Sequence, residues 1–424
     1  MIQRNLTAVL EEALSDTPVV LLHGARQTGK STLARWMGEV VHPARYLSMD
    51  DAGVLAAAKS DPAGFLAGVD RPVILDEVQR APELFLAMKS EVDHDRRAGS
   101  FFLTGSGNVF LLPTLSESLA GRMEIATLWP FSQGELEGMR EGFIDAVFSN
   151  NLPRQADRPL SRPFLLRRIL RGGYPEVVGR ADPGRRSAWF GAYLTTILQR
   201  DVRDFSQIEG LTMVPRLLAL LAARAAGLLN ISDISRSIGV PHTTLNRYLT
   251  LLEMTFLIQY LPPWSANLSK RLVKAQKLFL CDSGLMSHLL GLNEDRLQQN
   301  PELLGPLLEN FVVMELMKQA TWSKVRTSLF HFRTHAGQEV DIIIEDAAGN
   351  LVGVEVKAST TVTAEDFKGL RFLVDAVGRR FLRGIVLYTG KEMIPFGDKL
   401  VAMPVSALWQ LGARKNTPVR KKKK

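Results

Sequence analysis

Cysteine is nearly absent from the chain: among 424 residues there is one, Cys281, so no internal disulfide can form and a disulfide scaffold is excluded. Aromatic residues make up only 8% of the chain, yet hydrophobic residues reach 46%, which excludes a mostly disordered chain and a collagen-like repeat. Long apolar runs are also missing. The best one, Leu217 to Leu229, is too short to span a bilayer and contains Arg224, so it is expected to be a buried helix. Met1 to Leu14 carries Glu11 and Glu12 and lacks the positive-then-apolar layout of a signal peptide. The expectation is a cytoplasmic protein with no membrane partner, of two to four domains given its length.

Acidic charge is scarce in one stretch of the folded-looking sequence. The formal net charge of +8 divides into −7 over residues 1–150, +11 over 151–280, −3 over 281–413 and +7 over 414–424. The last block ends in Arg420 and four lysines and reads as a disordered basic tail. The middle excess is mostly arginine spread over patterned sequence, which points to a polyanionic partner there.

Short apolar runs separated by helical pattern fill the first third: Val19–Leu22, Tyr46–Met49, Val73–Leu75, Phe101–Leu103 and Ile125–Leu128. Buried runs alternating with helices predict a parallel sheet in an α/β layer fold. The first run leads into Gly24, Ala25, Arg26, Gln27, Thr28, Gly29, Lys30, Ser31 and Thr32, a full match to G-x-x-x-x-G-K-[ST] between a strand and a helix. Glycines at those places let successive N–H groups turn inward around phosphate oxygens, at the positive end of the following helix. Lys30 is expected to reach the β/γ-phosphates of ATP and Ser31 to hold Mg²⁺. A strand ending in Asp76 and Glu77 follows 45 residues after Ser31. Asp76 is assigned to the Mg²⁺ shell and Glu77 to polarising the attacking water. A further strand ends in Thr104, which can serve the γ-phosphate or the water, or simply make a turn. Arg122, just before the next strand, can act on a neighbouring subunit's nucleotide in a homo-oligomer, or be a surface arginine.

Gly24–Thr32, Asp76–Gln79, Leu103–Ser106 and Ser118–Arg122 together resemble the prokaryotic AAA-family ATPases that end in an uncharacterised, nuclease-like domain. Gly172–Pro175 and Gln199–Asp201 are similar to that family's middle segment, and the likeness runs over nearly the whole chain. The resemblance implies an AAA-type core and supports Arg122 as the arginine finger, because such cores carry it before their last core strand.

Residues 230–253 have helix-turn-helix grammar: a short helix closing at Gly239, Pro241 starting the next, and Ile234, Ile238, Leu245, Leu249 and Leu252 as the buried seam. The second helix then turns His242, Thr243, Asn246 and Arg247 outward, residues able to meet phosphates or base edges. Phe256–Leu261 and Lys277–Cys281 read as a wing hairpin. Winged helices bind DNA and also dock proteins; the local +11 favours DNA.

Near the C-terminus, Glu309 lies near the start of an expected helix, Asp341 on a strand, and Glu355 and Lys357 on one face of the next strand. Carboxylates binding Mg²⁺ beside a lysine make a phosphodiesterase site. This D-x₁₃-E-x-K arrangement resembles the restriction-endonuclease-like PD-(D/E)xK pattern, with Val340 in place of its proline. The resemblance implies metal at Asp341, Glu355 and Glu309 and a catalytic Lys357, in either an active or an inactive copy of the fold. His331 and His335 are expected to be exposed strand-end residues and not zinc ligands.

The expected architecture is α/β: an AAA-type P-loop parallel-sheet core at 1–135, a helical lid at 136–210, a winged helix-turn-helix at 211–295, a C-terminal α/β nuclease-like domain at 296–413 and a basic tail at 414–424. The expected activity is ATP hydrolysis coupled to DNA. The alternative is a nucleotide-switched regulatory protein whose nuclease-like domain only docks.

Overall fold

The computed structural model of the chain describes residues 2–107, 119–153, 160–201, 211–267, 275–334 and 336–416. Ser118, His335 and the tail lysines lie outside the described residues. The chain forms two compact units. The first holds residues 1–131, 253–256 and 416–424, and the second residues 132–252 and 257–415.

Five short apolar runs of the first unit become strands β1 (Val19–His23), β2 (Arg45–Ser48), β3 (Val73–Asp76), β4 (Phe101–Gly105) and β5 (Met123–Thr127). They form one parallel sheet in the order β2-β3-β4-β1-β5. Side chains alternate across it, so Val19, Leu21, Leu75 and Leu103 join one core with Leu84, Phe85 and Met88 of the helix Leu84–His94. Val20, Leu22, Ile74 and Phe102 join the other, with Leu10 and Leu14 of the helix Thr7–Asp16 and Leu33 and Met37 of the helix Lys30–Val40. Each fully buried leucine or phenylalanine contributes roughly 1.5–3 kcal/mol. Because all five strands run the same way, the loops after β1, β3 and β4 emerge together at the carboxyl ends of the strands. Those ends are where ligands of open α/β sheets bind.

The second unit opens with the short helix Gln133–Leu136 and then β6 (Met139–Arg140), paired to β15 (Arg414–Lys415). Helices follow at Arg162–Arg171, Pro183–Thr196, Val214–Ala223 and Ile231–Ile238. The apolar stretch around Leu217 is the buried helix expected, with Leu217, Leu218 and Leu221 wholly inside. Among the described residues no helix is long and apolar enough to cross a membrane. The Gly172–Pro175 motif is structural: Asp282 accepts from the Gly173 N–H at 2.7 Å and from the Leu285 N–H at 3.0 Å. Gly172 sits at φ +74°, and a Cβ there would lie 2.1 Å from Asp282 Oδ1, so only glycine fits.

Strands β7 (Ile258–Leu261) and β8 (Lys277–Leu280) pair antiparallel. The remaining sheet has the order β13-β14-β12-β11-β10-β9, from β9 (Thr327–Arg333), β10 (Glu339–Asp346), β11 (Leu351–Lys357), β12 (Phe381–Tyr388), β13 (Ile394–Pro395) and β14 (Leu400–Pro404). Val340, Ile343, Leu351 and Phe381 form a core with Leu370 and Leu373 of the helix Lys368–Val377. The helix Leu304–Ala320 is buried on nearly every side, as expected of an internal helix, and packs against β11.

Candidate functional site

The turn after β1 has a backbone that few residues tolerate. Gly24 is at φ +149° and a Cβ there would lie 2.2 Å from the Leu128 carbonyl oxygen. Gly29, at φ +95°, has nothing within 4 Å of its missing Cβ, so the loop leaves open space at that point. Gln27 is also left-handed, at φ +63°. Thr28 is buried and its hydroxyl donates to the Ala25 carbonyl at 2.9 Å. Lys30 is buried at the first turn of its helix, and its ammonium donates to the carbonyls of Gly24 (3.0 Å) and Ala25 (2.8 Å). The lysine is thus folded back over the loop it follows. Ser31 is half-buried, and Arg26 likewise, while Gln27 and Thr32 are exposed. Arg4 braces the loop by donating to the Thr28 carbonyl at 3.0 Å. His23, just before Gly24, shares a 2.8 Å hydrogen bond with the Thr127 hydroxyl. Burial, with the Lys30 charge adding to it, pushes His23 down to about 4.

Register brings the other residues level with that loop: Leu22 pairs with Thr104, and Asp76 follows directly on Leu75, which pairs with Leu103. The Thr104 side chain is wholly buried; its hydroxyl donates to Asp76 Oδ1 and accepts from the Glu77 N–H at 3.1 Å. Asp76 Oδ2 accepts from the Tyr46 hydroxyl at 2.7 Å and the Ser48 hydroxyl at 3.3 Å. Burial and the adjacent Asp76 push the Tyr46 phenol up to about 12, so it remains a donor. Glu77 is held in the left-handed region, φ +55° and ψ +43°. Its carboxylate accepts from the Gln79 amide, which also donates to Ser106 at 2.9 Å. Thus Asp76, Glu77 and Thr104 form one hydrogen-bonded group. Tyr46 and Ser48 complete it without having been singled out in the sequence, and Gln79, the last residue of the Asp76–Gln79 motif, joins it through Glu77. Arg122 stands apart from this group: it donates to Asp93 Oδ1 at 2.5 Å and to the Ala120 carbonyl at 3.0 Å.

These residues fit a magnesium nucleotide. The chemistry is that of oxygen ligands, hydroxyl and carboxylate, beside a glycine turn whose φ angles only glycine supplies.

The helices Ile231–Ile238 and His242–Met254 are joined through Gly239, left-handed at φ +71°. Ile234, Ile238, Leu245, Leu249 and Leu252 are all buried, while His242, Thr243, Asn246 and Arg247 are all exposed on the second helix. The strand ribbon that follows is not free. Trp264 donates its N–H to the His331 carbonyl at 2.6 Å, His331 its own to the Pro262 carbonyl at 2.9 Å, and β8 is buried throughout. His331 is therefore not the exposed strand-end residue expected. It is 2% exposed, bonded to the Ala275 carbonyl at 3.1 Å, and pushed down to about 4 by burial.

The C-terminal residues do converge. The register between β9 and β10 slips between Val340 and Ile343, a bulge at Asp341. Asp341 Oδ2 accepts from the Val356 N–H at 2.9 Å. Glu355 accepts from the Asp341 N–H at 3.4 Å and pairs with Lys357 at 2.8 Å. What spacing did not show is Lys277, at the start of β8. Its ammonium, 3% exposed, lies 2.9 Å from Glu309, 2.9 Å from Glu339 and 3.4 Å from Asp341. Burial and the neighbouring Asp341 push Glu309 up to about 8 and Glu355 up to about 7. The expectation of a metal on Asp341, Glu355 and Glu309 does not fit this arrangement. A lysine ammonium stands between Glu309 and Asp341, and among the described residues no group of three His, Cys, Asp or Glu is placed to hold a metal ion.

Three family models match the chain: an AAA domain over residues 16–137, and two domains of unknown function, DUF8612 over 163–296 and DUF4143 over 304–408. The first unit is accordingly an AAA-type P-loop domain of the ATP-binding kind. The chain is 30% identical over 414 residues to two uncharacterized proteins, Rv2008c of Mycobacterium tuberculosis and Mb2031c of Mycobacterium bovis. Each match covers 97% of this chain and 85% of the relative. Among solved structures it is similar to the Holliday junction branch migration motor RuvB of Thermotoga maritima, at 18% identity and a TM-score of 0.29, over 61% of this chain and 89% of that one.

Proposed function

We propose, for a chain that belongs to the family of the uncharacterized mycobacterial proteins Rv2008c and Mb2031c, that it is an ATP-hydrolysing AAA-type enzyme that acts on DNA through its helix-turn-helix. The observation that carries the hydrolytic reading is the hydrogen-bonded Asp76–Thr104–Glu77 group, level with the end of the strand that enters the phosphate loop. Lys30 and the amides of Gly24–Thr32 would hold the phosphates, and Ser31 and Asp76 the Mg²⁺. A bound magnesium ion supplies charge neutralisation at the transferring phosphoryl group. Glu77 would orient an attacking water and take its proton, with Gln79 setting the carboxylate's direction. Lys30 must leave the Gly24 and Ala25 carbonyls to meet phosphate, which exchanges two neutral acceptors for charged ones.

The test is a pair of variants. Lys30→Ala is expected to lose Mg-ATP binding. Glu77→Gln is expected to keep binding while turnover falls by roughly 10²–10⁴-fold. Equal phosphate release from Glu77→Gln and the unaltered protein would refute the assignment.

The DNA reading rests on the four exposed side chains of the second helix and on the +11 charge of residues 151–280. Phosphate contacts release counterions, so binding should weaken steeply with salt, and Arg247→Ala should lower the log–log slope by roughly 0.9. Binding that ignores salt would favour protein docking.

A second reading, a nucleotide-switched binding protein, is favoured by Lys30 and Glu77 both being held by the chain itself. It predicts DNA or partner affinity that changes on ATP binding and is unaffected by Glu77→Gln.

A further inference from the structure

The carboxylates Glu309, Glu339 and Asp341 come from a helix and a strand, and the ammonium of Lys277 reaches all three from a different element, β8. The oxygens stand 2.9–3.4 Å from that nitrogen. Magnesium–oxygen bonds are about 2.0–2.1 Å, so the spacing suits an ammonium and is too wide for the ion. Other carboxylate oxygens of the cluster are hydrogen-bonded as well. Asp341 Oδ2 serves the Val356 N–H, and the two Glu355 oxygens serve the Asp341 N–H and Lys357. A divalent ion would have to displace a buried cation and compete with backbone donors for the same carboxylates.

We propose that Lys277 is the resident cation of the C-terminal site, standing where a divalent metal would bind. The domain then folds without metal and cuts no phosphodiester, and the carboxylates fasten the β7–β8 ribbon to the sheet. The ribbon geometry agrees with that role. β7 continues into the Pro263–His331 bridge beside β9, while Leu228 bridges to Lys277 on the far side of β8. Removing one partner of a buried ion cluster strands the others, so Lys277 is a fastening and not a spare charge. This inference does not rest on the ATP or DNA reading.

The experiment is Mn²⁺ binding to the full chain without nucleotide, followed by electron paramagnetic resonance, with melting recorded in parallel. The unaltered protein is expected to bind no Mn²⁺ at this site and to melt at the same temperature in Mn²⁺ or EDTA. Lys277→Ala leaves the carboxylates without their cation and is expected to gain one Mn²⁺ per chain. Its melting temperature should then rise by a few degrees on adding Mn²⁺, since a ligand of the native state stabilises it. Lys277→Ala with Asp341→Asn should lose both effects. If Lys277→Ala is unfolded alone, Mn²⁺ during refolding should restore it. Two results would overturn the proposal: Mn²⁺ bound by the unaltered protein and lost in Asp341→Asn, or no Mn²⁺ gain and no Mn²⁺ rescue in Lys277→Ala.

Discussion

Replacing Thr104 with valine keeps the side chain's shape and removes one oxygen, and that oxygen makes two bonds at once. Its hydroxyl donates to Asp76 and accepts from the Glu77 N–H, inside a site where Thr104 is fully buried. A buried polar group left without a partner costs about 1–3 kcal/mol. Asp76 loses its donor on Oδ1 but keeps the Tyr46 and Ser48 hydroxyls on Oδ2, so the carboxylate stays hydrogen-bonded and its loss falls at the low end. The Glu77 N–H loses its bond to Thr104 altogether. Together these give about 2–4 kcal/mol of destabilisation. Activity should suffer separately. Glu77 occupies a left-handed backbone conformation that costs on the order of 1–3 kcal/mol, and the Thr104 bond is one of the contacts holding it there. Once released, the carboxylate no longer points where Gln79 and Thr104 set it. At 1.36 kcal/mol per tenfold, turnover should fall roughly 10–100-fold. ATP affinity, which rests on the phosphate loop, should change less than about threefold. Phosphate release, equilibrium ATP binding and urea unfolding measure the three quantities, and Thr104→Ser, which keeps the hydroxyl, should recover most of the turnover. A valine variant as stable and as fast as the unaltered protein would show that neither bond matters.

Gly24→Ala should destabilise the first unit by about 2 kcal/mol or more and abolish nucleotide binding, because the new Cβ meets the Leu128 carbonyl at 2.2 Å; calorimetric titration and melting would check it. Gly29→Ala meets no atom but is still strained at φ +95°, so in the same melting experiment it should lose only the backbone part of that stability. If Arg122 leaves Asp93 to serve a neighbouring subunit, an Arg122→Ala protein should be inactive alone and regain phosphate release when mixed with inactive Lys30→Ala protein. No complementation at any mixing ratio would remove the finger. Buried His331 stays neutral until about pH 4, whereas the unfolded chain takes its proton below about 6.5. The unfolded state therefore binds more protons in that window, and His331 lowers stability as pH falls through it, by at most about 3 kcal/mol. His331→Gln should flatten the acid limb of urea midpoint against pH, and identical limbs would contradict the burial argument.

What the sequence made legible is what depends on neighbours along the chain. The phosphate loop is nine consecutive residues whose glycine angles are a local property, and the strand before it declares itself by an apolar run. Asp76, Glu77 and Thr104 could be placed because the carboxyl ends of the strands of a parallel sheet gather together. Their supports could not. Tyr46 and Ser48 reach Asp76 only through the β2–β3 register that sets Ser48 opposite it. Gln79 reaches Ser106 only after β3 and β4 have paired. His331 has the polar character of an exposed strand end, but its backbone pairs with Pro262 and Trp264 and its ring bonds the Ala275 carbonyl. Lys277 is the sharpest case, since it is separated by 32 residues from Glu309 and 64 from Asp341 and opens an otherwise apolar strand. The spacing of Asp341, Glu355 and Lys357 specifies that carboxylates will meet across a hairpin, but carboxylates are satisfied equally by a metal ion or by an ammonium. The cation was decided by a residue outside the motif, and only the packing of β8 on the sheet could name it.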